Sequence, residues 1–400
     1  MRAVRWQPPV YSPLPSGAAW HSLLLGAGVA GDPRRRVTRT LLQAFGAEAA
    51  VLCGSGTEAL QLALRVAHRL RGAGAIVAVP AFTCFGVATA VVGADARVAL
   101  YDVDPATLAP DLDSLRLALR EGAQVVVASP LFGVPLDWCA LEECTASSGA
   151  LIIEDAAQGH GATWHDRPLG SLGTLSVLSF GRGKGWTGGQ GGALLLRGAP
   201  ARVVGASFEL EGPSPGMRLR VGAQVLAQWM LGRPHLYWIP AALPWLGLGE
   251  TRYNAPQQPR AMTREAAHLL ERTREPAQRE AEIRKANAAL LLGRIPFGRS
   301  VRGVQPPPSA SPGFLRLPLR LARGLEGFRT PGRATRLGIA PSYPHPLHIL
   351  TQIRTRMMHR SEHWPGASAL ARELVTLPTH SLITCPERDE LVGLIGTYES

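Results

Sequence analysis

The sequence predicts an α/β fold, and three observations carry that expectation. Between Ala49 and Leu196, short apolar runs alternate with stretches of helical spacing, the signature of βα units and a mainly parallel sheet. The 400 residues are 46% hydrophobic and 18% charged, which supplies a large core and excludes intrinsic disorder. At about 150 residues per domain, the length points to two or three domains.

Strands are expected at 50–53, 75–79, 98–101, 125–128, 151–154, 175–179 and 193–196. Helices are expected between them at 57–69, 83–92, 112–119 and 138–147. The segment 217–249 is apolar and rich in Trp and Pro, but Arg218, Arg220, Arg233 and His235 interrupt it. It reads as a buried or subunit-facing helix followed by a loop, with contact to a membrane surface as the lesser alternative. A charged helical stretch at 263–292 leads through prolines 306–308 into a second domain that ends with a helix near 387–397. The division expected is a large domain at 1–260, with an N-terminal arm and the apolar segment, and a linking helix plus smaller C-terminal domain at 261–400.

Composition removes several classes. No apolar run reaches the ~18 residues that span a bilayer. Residues 18–30 include His21 and no cleavage pattern, so no signal peptide is expected and the cytoplasm is the default location. Cys53, Cys84, Cys139, Cys144 and Cys385 lack the paired spacing of a zinc site and the density of a disulfide scaffold. The net charge of +12 would attract phosphates, but the arginines are spread along the chain and aromatics are only 6%, so nucleic-acid binding is not expected.

Of the 42 basic residues only two are lysines, Lys184 and Lys285. Arginine keeps its proton in a protein, whereas a desolvated lysine can act as a free amine and form a Schiff base. Lys285 lies in a charged stretch that reads as an exposed helix face. Lys184 lies in the glycine-rich turn Ser179-Phe180-Gly181-Arg182-Gly183-Lys184-Gly185 between two expected strands. That turn is not a nucleotide-hydrolysing P-loop: Leu178 stands where the first glycine is needed and Gly185 where Ser or Thr would bind magnesium.

Two further motifs accompany it. Cys53-Gly54-Ser55-Gly56-Thr57-Glu58 follows the first strand and opens a helix, where free N–H groups meet a phosphate. Gly54, Gly56 and Ala59 also fit a loose dinucleotide fingerprint, yet the next strand ends in Val79-Pro80-Ala81 without the acid that would bind ribose. The strand at 151–154 delivers Glu154 and Asp155 at its carboxyl end; adjacent residues face opposite ways, so only one of the two is expected in a site. A buried carboxylate needs a cationic or hydrogen-bonding partner, and a pyridinium nitrogen supplies one. His160, His165 and Asp166 read as turn polarity, and no metal site is expected. A phosphate-ready helix start, a strand-end aspartate and a later lysine are together what pyridoxal 5'-phosphate asks of a protein.

The order of these pieces resembles the DegT/DnrJ/StrS aminotransferases, the sugar aminotransferase branch of fold-type I pyridoxal-phosphate enzymes. The resemblance rests on Ser55-Gly56-Thr57-Glu58-Ala59-Leu60, Val79-Pro80-Ala81 with Thr83, Asp102-Val103-Asp104, Glu154-Asp155-Ala156-Ala157-Gln158, Ser179-Phe180 with Lys184, and Gly191-Gly192-Ala193. Tyr343-Pro344 with Pro346-Leu347-His348, and Leu377-Pro378-Thr379-His380, look like its small-domain motifs.

That resemblance implies a large domain with a mainly parallel sheet flanked by helices, and a smaller C-terminal α/β domain. It implies that Lys184 bonds to the cofactor aldehyde, that Asp155 holds the pyridine nitrogen protonated, and that Gln158 contacts the ring hydroxyl. Gly56, Thr57 and Ser179 would cradle the phosphate. The family's Thr-Phe pair reads here as Thr83-Cys84-Phe85, which makes Phe85 the expected ring-stacking residue. The implied activity is amino transfer, commonly from glutamate, to a keto sugar, expected to be nucleotide-linked, in a homodimer. Relatives without the lysine act as dehydrases, so Lys184 favours transamination over dehydration. An amino-acid acceptor or a non-catalytic, partner-binding relative are the alternatives. The sequence departs from the family at Gln190, where a glutamate is usual, and near Arg260-Ala261-Met262, where Asn254 lies too far upstream to match the family's asparagine.

Overall fold

The computed structural model describes residues 5–17, 31–204, 210–213, 216–242, 251–358 and 363–398. The stretch 18–30, read above for a leader, and the end of the apolar segment at 243–249 lie outside the described residues.

All seven expected strands form: β1 (Ala49–Cys53), β2 (Ile76–Pro80), β3 (Arg97–Tyr101), β4 (Ala123–Ala128), β5 (Leu151–Asp155), β6 (Leu175–Ser179) and β7 (Gly192–Leu196). They make one sheet in the order β1-β7-β6-β5-β4-β2-β3. β2 pairs in parallel with β3 and β4, β4 with β5, and β5 with β6; β7 alone runs against its neighbours β1 and β6. The strands are apolar at successive positions because both faces are covered. Val77 and Val79 of β2 join one core layer with Val125, while Ala78 joins the other with Val126.

Helices α1 (Pro33–Phe45), α2 (Gly56–Arg71), α3 (Phe85–Gly93), α4 (Leu112–Arg120) and α5 (Trp138–Ala146) cover this sheet. Their ends follow local chemistry. The Ser55 hydroxyl accepts the Glu58 N–H at 3.1 Å to start α2, and Asp111 and Asp137 do the same for α4 and α5. His68, Arg69 and Arg71 occupy the last turn of α2, where the helix dipole favours cations.

The apolar segment forms α6 (Met217–Leu231) and a short helix, Trp238–Ala241. Val221 and Val225 pack on Leu14 and Leu269, whereas Met230 and Trp238 remain exposed. The long helix α7 (Arg264–Leu292) starts at a Thr263 cap, whose hydroxyl accepts the Ala266 N–H at 3.1 Å. Beyond it an antiparallel sheet forms from β8 (Val301–Gly303), β9 (Leu317–Leu321), β10 (Ala340–Pro341) and β11 (Leu374–Leu377), in the order β8-β9-β11-β10. The terminal helix α8 (Cys385–Gly396) opens with a Thr384–Glu387 capping box. Among the described residues no helix is long and apolar enough to cross a membrane.

Candidate active site

The carboxyl ends of β2, β4, β5 and β6 open along one edge of the sheet, where ligands of parallel sheets collect. A cleft of about 330 Å³ lies there, walled by Thr83 and Cys84 after β2, Ser129 after β4, Asp155 and Gln158 from β5 onward, Ser179 ending β6, and Lys184. Gly56 and Thr57, the first residues of α2, complete one wall.

That wall is shaped for an anion. The first-turn N–H groups of a helix lack helical acceptors and carry its positive end. A Cβ at Gly56 would lie 2.6 Å from the Ser179 Cβ, so glycine alone lets α2 approach the end of β6 this closely. A side chain at Gly192 would collide with the Ser55 backbone. The expected group of Gly56, Thr57 and Ser179 therefore converges.

Glu154 and Asp155 divide as their strand geometry requires. Glu154 is fully buried and accepts the N–H groups of Gly170, Leu172 and Gly173 at 2.6, 2.9 and 3.1 Å and the Ser176 hydroxyl at 2.8 Å. Asp155 faces the cleft with only two long contacts, from the Ser129 hydroxyl at 3.4 Å and the Ala157 N–H at 3.3 Å. Burial pushes its carboxyl above the usual range, and the charge of Lys184 opposes that rise.

Lys184 is held by its backbone, leaving its side chain to the cleft. Its N–H donates to the Gly181 carbonyl at 3.3 Å, and the Ser12 hydroxyl donates to its carbonyl. Gly185 packs so tightly on His160 that a Cβ there would lie 2.6 Å from the His160 Cβ. The Lys184 amine has no hydrogen-bond or ion-pair partner among the described residues. Lys285, by contrast, pairs with Glu282 at 3.3 Å along α7, the helix-face role expected of it.

Gln158 accepts the Phe132 N–H at 3.0 Å and donates to the Tyr343 hydroxyl at 2.8 Å. One amide hydrogen is left for a ligand oxygen. Tyr343 thus ties the second sheet's Tyr343-Pro344 motif to the cleft wall.

Phe85 requires a correction. It is 2% exposed, belongs to the core layer beneath the cleft, and packs its ring on His345 at 4.8 Å between centroids. As the first residue of α3 it turns inward, and its neighbours Cys84 and Gly86 line the cleft instead. The expectation that Phe85 stacks on a bound ring is not met.

The structure adds Thr83, whose Oγ1 is buried at the cleft without a hydrogen-bond partner. It also adds Gln224 of α6, which lines the cleft and donates to the Gly189 carbonyl at 3.3 Å. Gln190 also lines it. Asn254 is exposed, with its carbonyl accepting the Thr89 hydroxyl at 2.8 Å. His160 is buried under Gly185 and His165 packs edge-on against Trp164. No group of three or more His, Cys, Asp or Glu among the described residues converges to hold a metal ion.

An anion cradle, an under-bonded carboxylate and an unpaired amine around one cleft are together a donor set that fits pyridoxal phosphate. The sheet order, its single reversed strand and the lysine turn between β6 and β7 are the architecture of the fold-type I class. Within that class, the resemblance carried by the motifs holds: residues 23–201 match the DegT/DnrJ/EryC1/StrS aminotransferase family.

Among curated relatives, an L-glutamine:2-deoxy-scyllo-inosose aminotransferase from Streptomyces lividus is 30% identical over 267 residues, 66% of this chain and 57% of the relative. A 3-amino-5-hydroxybenzoate synthase from Amycolatopsis mediterranei is 34% identical over 166 residues, 42% of each. The matches thus span about half the length of these relatives. A putative sugar aminotransferase from Streptococcus pneumoniae, solved in its PMP form, shares the fold with a TM-score of 0.74 at 20% identity, covering 98% of this chain and 97% of its own.

Proposed function

We propose that this chain is a pyridoxal-phosphate-dependent aminotransferase that moves an amino group from glutamate or glutamine to the keto group of a sugar or cyclitol. One observation carries the reading: an unpartnered lysine amine and a desolvated, under-bonded aspartate share a cleft with a helix-start anion cradle. Bound there, the cofactor supplies an electron sink for the bond broken at the donor carbon.

Each side chain then has a defined task. Asp155 keeps a proton on the ring nitrogen by offering the negative charge that burial otherwise penalises. With the cofactor bound, the Lys184 Nζ would take the donor's α-proton and then give a proton back, acting as base and then acid. Gly56, Thr57 and Ser179 hold the phosphate, and Gln158 offers its free amide hydrogen to the ring oxygen. The curated relatives' names support a ring ketone as acceptor, and a nucleotide-linked keto sugar is the narrower form of this proposal. We take 1–260 as the cofactor-binding unit and 261–400 as the linking helix and small domain. The working form is a homodimer, in which a second copy covers exposed apolar side chains such as Met230 and Trp238.

The test is product analysis with glutamine or glutamate and a panel of keto sugars and keto-cyclitols. Amino product is expected, and Lys184→Ala abolishes it. A dehydrated, unaminated product, or unchanged turnover in Lys184→Ala, would overturn the proposal.

A further inference from the structure

Residues 5–12 form an arm that is fastened at both ends. Pro8, Pro9 and Pro13 fix their own φ and present no N–H, which leaves this segment little conformational freedom to lose when it docks. Its start is tied to the C-terminal part of the chain. Arg5 donates to Glu387 at 3.1 Å and to the Leu382 carbonyl at 2.8 Å, the Gln7 side chain donates to Glu387 at 2.8 Å, and the Gln7 N–H donates to the Arg336 carbonyl at 2.8 Å. Farther along, the His380 Nε2–H donates to the Pro8 carbonyl at 2.8 Å, and the buried Arg284 donates to the Tyr11 carbonyl at 2.6 Å.

The other end of the arm meets the lysine turn. The buried Ser12 hydroxyl donates to the Lys184 carbonyl, and a Cβ at Gly183 would lie 2.7 Å from the Val10 Cγ2, so the arm touches two successive residues of the turn. On the following residue, Gly185 packs on His160. Within the turn itself the Lys184 main chain is lightly held, by the 3.3 Å bond from its N–H to the Gly181 carbonyl. The arm therefore supplies the firmer fastening.

We infer that Ser12 is a positioning residue for Lys184: by bonding the Lys184 carbonyl, the arm fixes the main chain from which the amine reaches the cofactor aldehyde. The Lys184 amine sits at the end of a flexible four-carbon stem, so its reach is only as well defined as the peptide that carries it, and reactivity falls steeply with misplacement. Because the same arm is fastened to Arg336, Leu382 and Glu387, the placement of the amine is coupled to the C-terminal part of the chain. Such coupling is reciprocal: what the arm contributes to the bond at Lys184, that bond contributes to the arm. This rests on the aminotransferase reading above.

The experiment titrates the full chain with two forms of the cofactor. Pyridoxal phosphate bonds to Lys184 through its aldehyde, whereas pyridoxamine phosphate carries an amine there and fills the cleft without that bond. Ser12→Ala should weaken pyridoxal-phosphate binding by about 3- to 10-fold, the worth of one hydrogen bond, and leave pyridoxamine-phosphate binding unchanged. A general loosening of the cleft would weaken both alike. In the unaltered protein, hydrogen exchange at the Trp6 and Gln7 N–H groups, bonded to the Pro234 and Arg336 carbonyls, should be slower with pyridoxal phosphate than with pyridoxamine phosphate, which keeps the proposal testable even if Ser12→Ala does not fold. Equal weakening of both forms, no weakening of either, or equal exchange with the two would overturn the assignment. Failure of the aminotransferase reading would show separately, as the absence of any cofactor fixed on Lys184 by borohydride in the unaltered protein.

Discussion

Glu154 and Asp155 leave β5 on opposite faces: the first is fully buried with four hydrogen bonds, and the second faces the cleft with two long ones. Replacing each should therefore damage a different property. Glu154→Gln leaves buried N–H groups poorly matched and should cost about 1–3 kcal/mol of stability, measured by urea unfolding. Asp155→Asn should unfold almost as the parent does, yet lose on the order of 10²–10³-fold in kcat by removing a charge aimed at the reacting group. Equal effects of the two on stability would contradict this division.

Gly56 stands where α2 and β6 come closest. Gly56→Ala sets a methyl 2.6 Å from the Ser179 Cβ, so the helix start must shift. Overpacking of this kind costs about 1–3 kcal/mol. We expect pyridoxal-phosphate affinity to fall at least about tenfold, as read by cofactor titration, since the phosphate cradle moves with the helix. An unchanged affinity would place the phosphate elsewhere.

Cys84 rather than Phe85 forms the cleft wall after β2. A thiol reagent should modify Cys84 in the cofactor-free protein and spare it when pyridoxal phosphate is bound. The exposed Cys139 and Cys385 should react in both states, serving as internal controls for mass spectrometry. Phe85→Leu should change stability through repacking and leave the cofactor band where it was. A shifted band in Phe85→Leu, with Cys84 unprotected, would restore Phe85 to the cofactor.

Burial holds His160 and His380 well below the ordinary histidine range, at about 3 and about 4. In the unfolded chain both take up protons near pH 6.5. Between pH 6.5 and 5, therefore, the unfolded state binds protons that the native rings refuse. Their contribution to stability is complete above pH 6.5 and is lost as the pH falls, by up to about 1.4 kcal/mol per pH unit for each ring. Urea midpoints at pH 7 and pH 5 should show this drop, and His160→Gln with His380→Gln should flatten it. A parent midpoint independent of pH would contradict it.

Much of the large sheet was legible because its strands are buried on both faces, and continuous apolar runs such as Val125, Val126 and Val127 announce that. The cleft was legible where chemistry and backbone coincide. Gly56 is required by a close approach, and Lys184 stands out in a chain that otherwise uses arginine. Phe85 was misplaced because side-chain direction at a helix start depends on the turn before it, where Cys84 rather than Phe85 faces the cleft. Gln224 was invisible for another reason: it reaches the cleft from a distant part of the chain, and nothing in its local pattern marks it among the other glutamines. The buried, partnerless Thr83 hydroxyl was equally hidden, because only tertiary packing shows what it lacks.

The chain's two lysines make one experiment unusually direct. Protein incubated with pyridoxal phosphate should turn yellow, and borohydride should fix the cofactor irreversibly on a single peptide. Peptide mapping should find that label on Lys184 and none on Lys285, which is paired with Glu282 on α7. Label on Lys285 alone, or no fixed label with a colourless protein, would contradict the assignment of Lys184 as the amine that carries the chemistry.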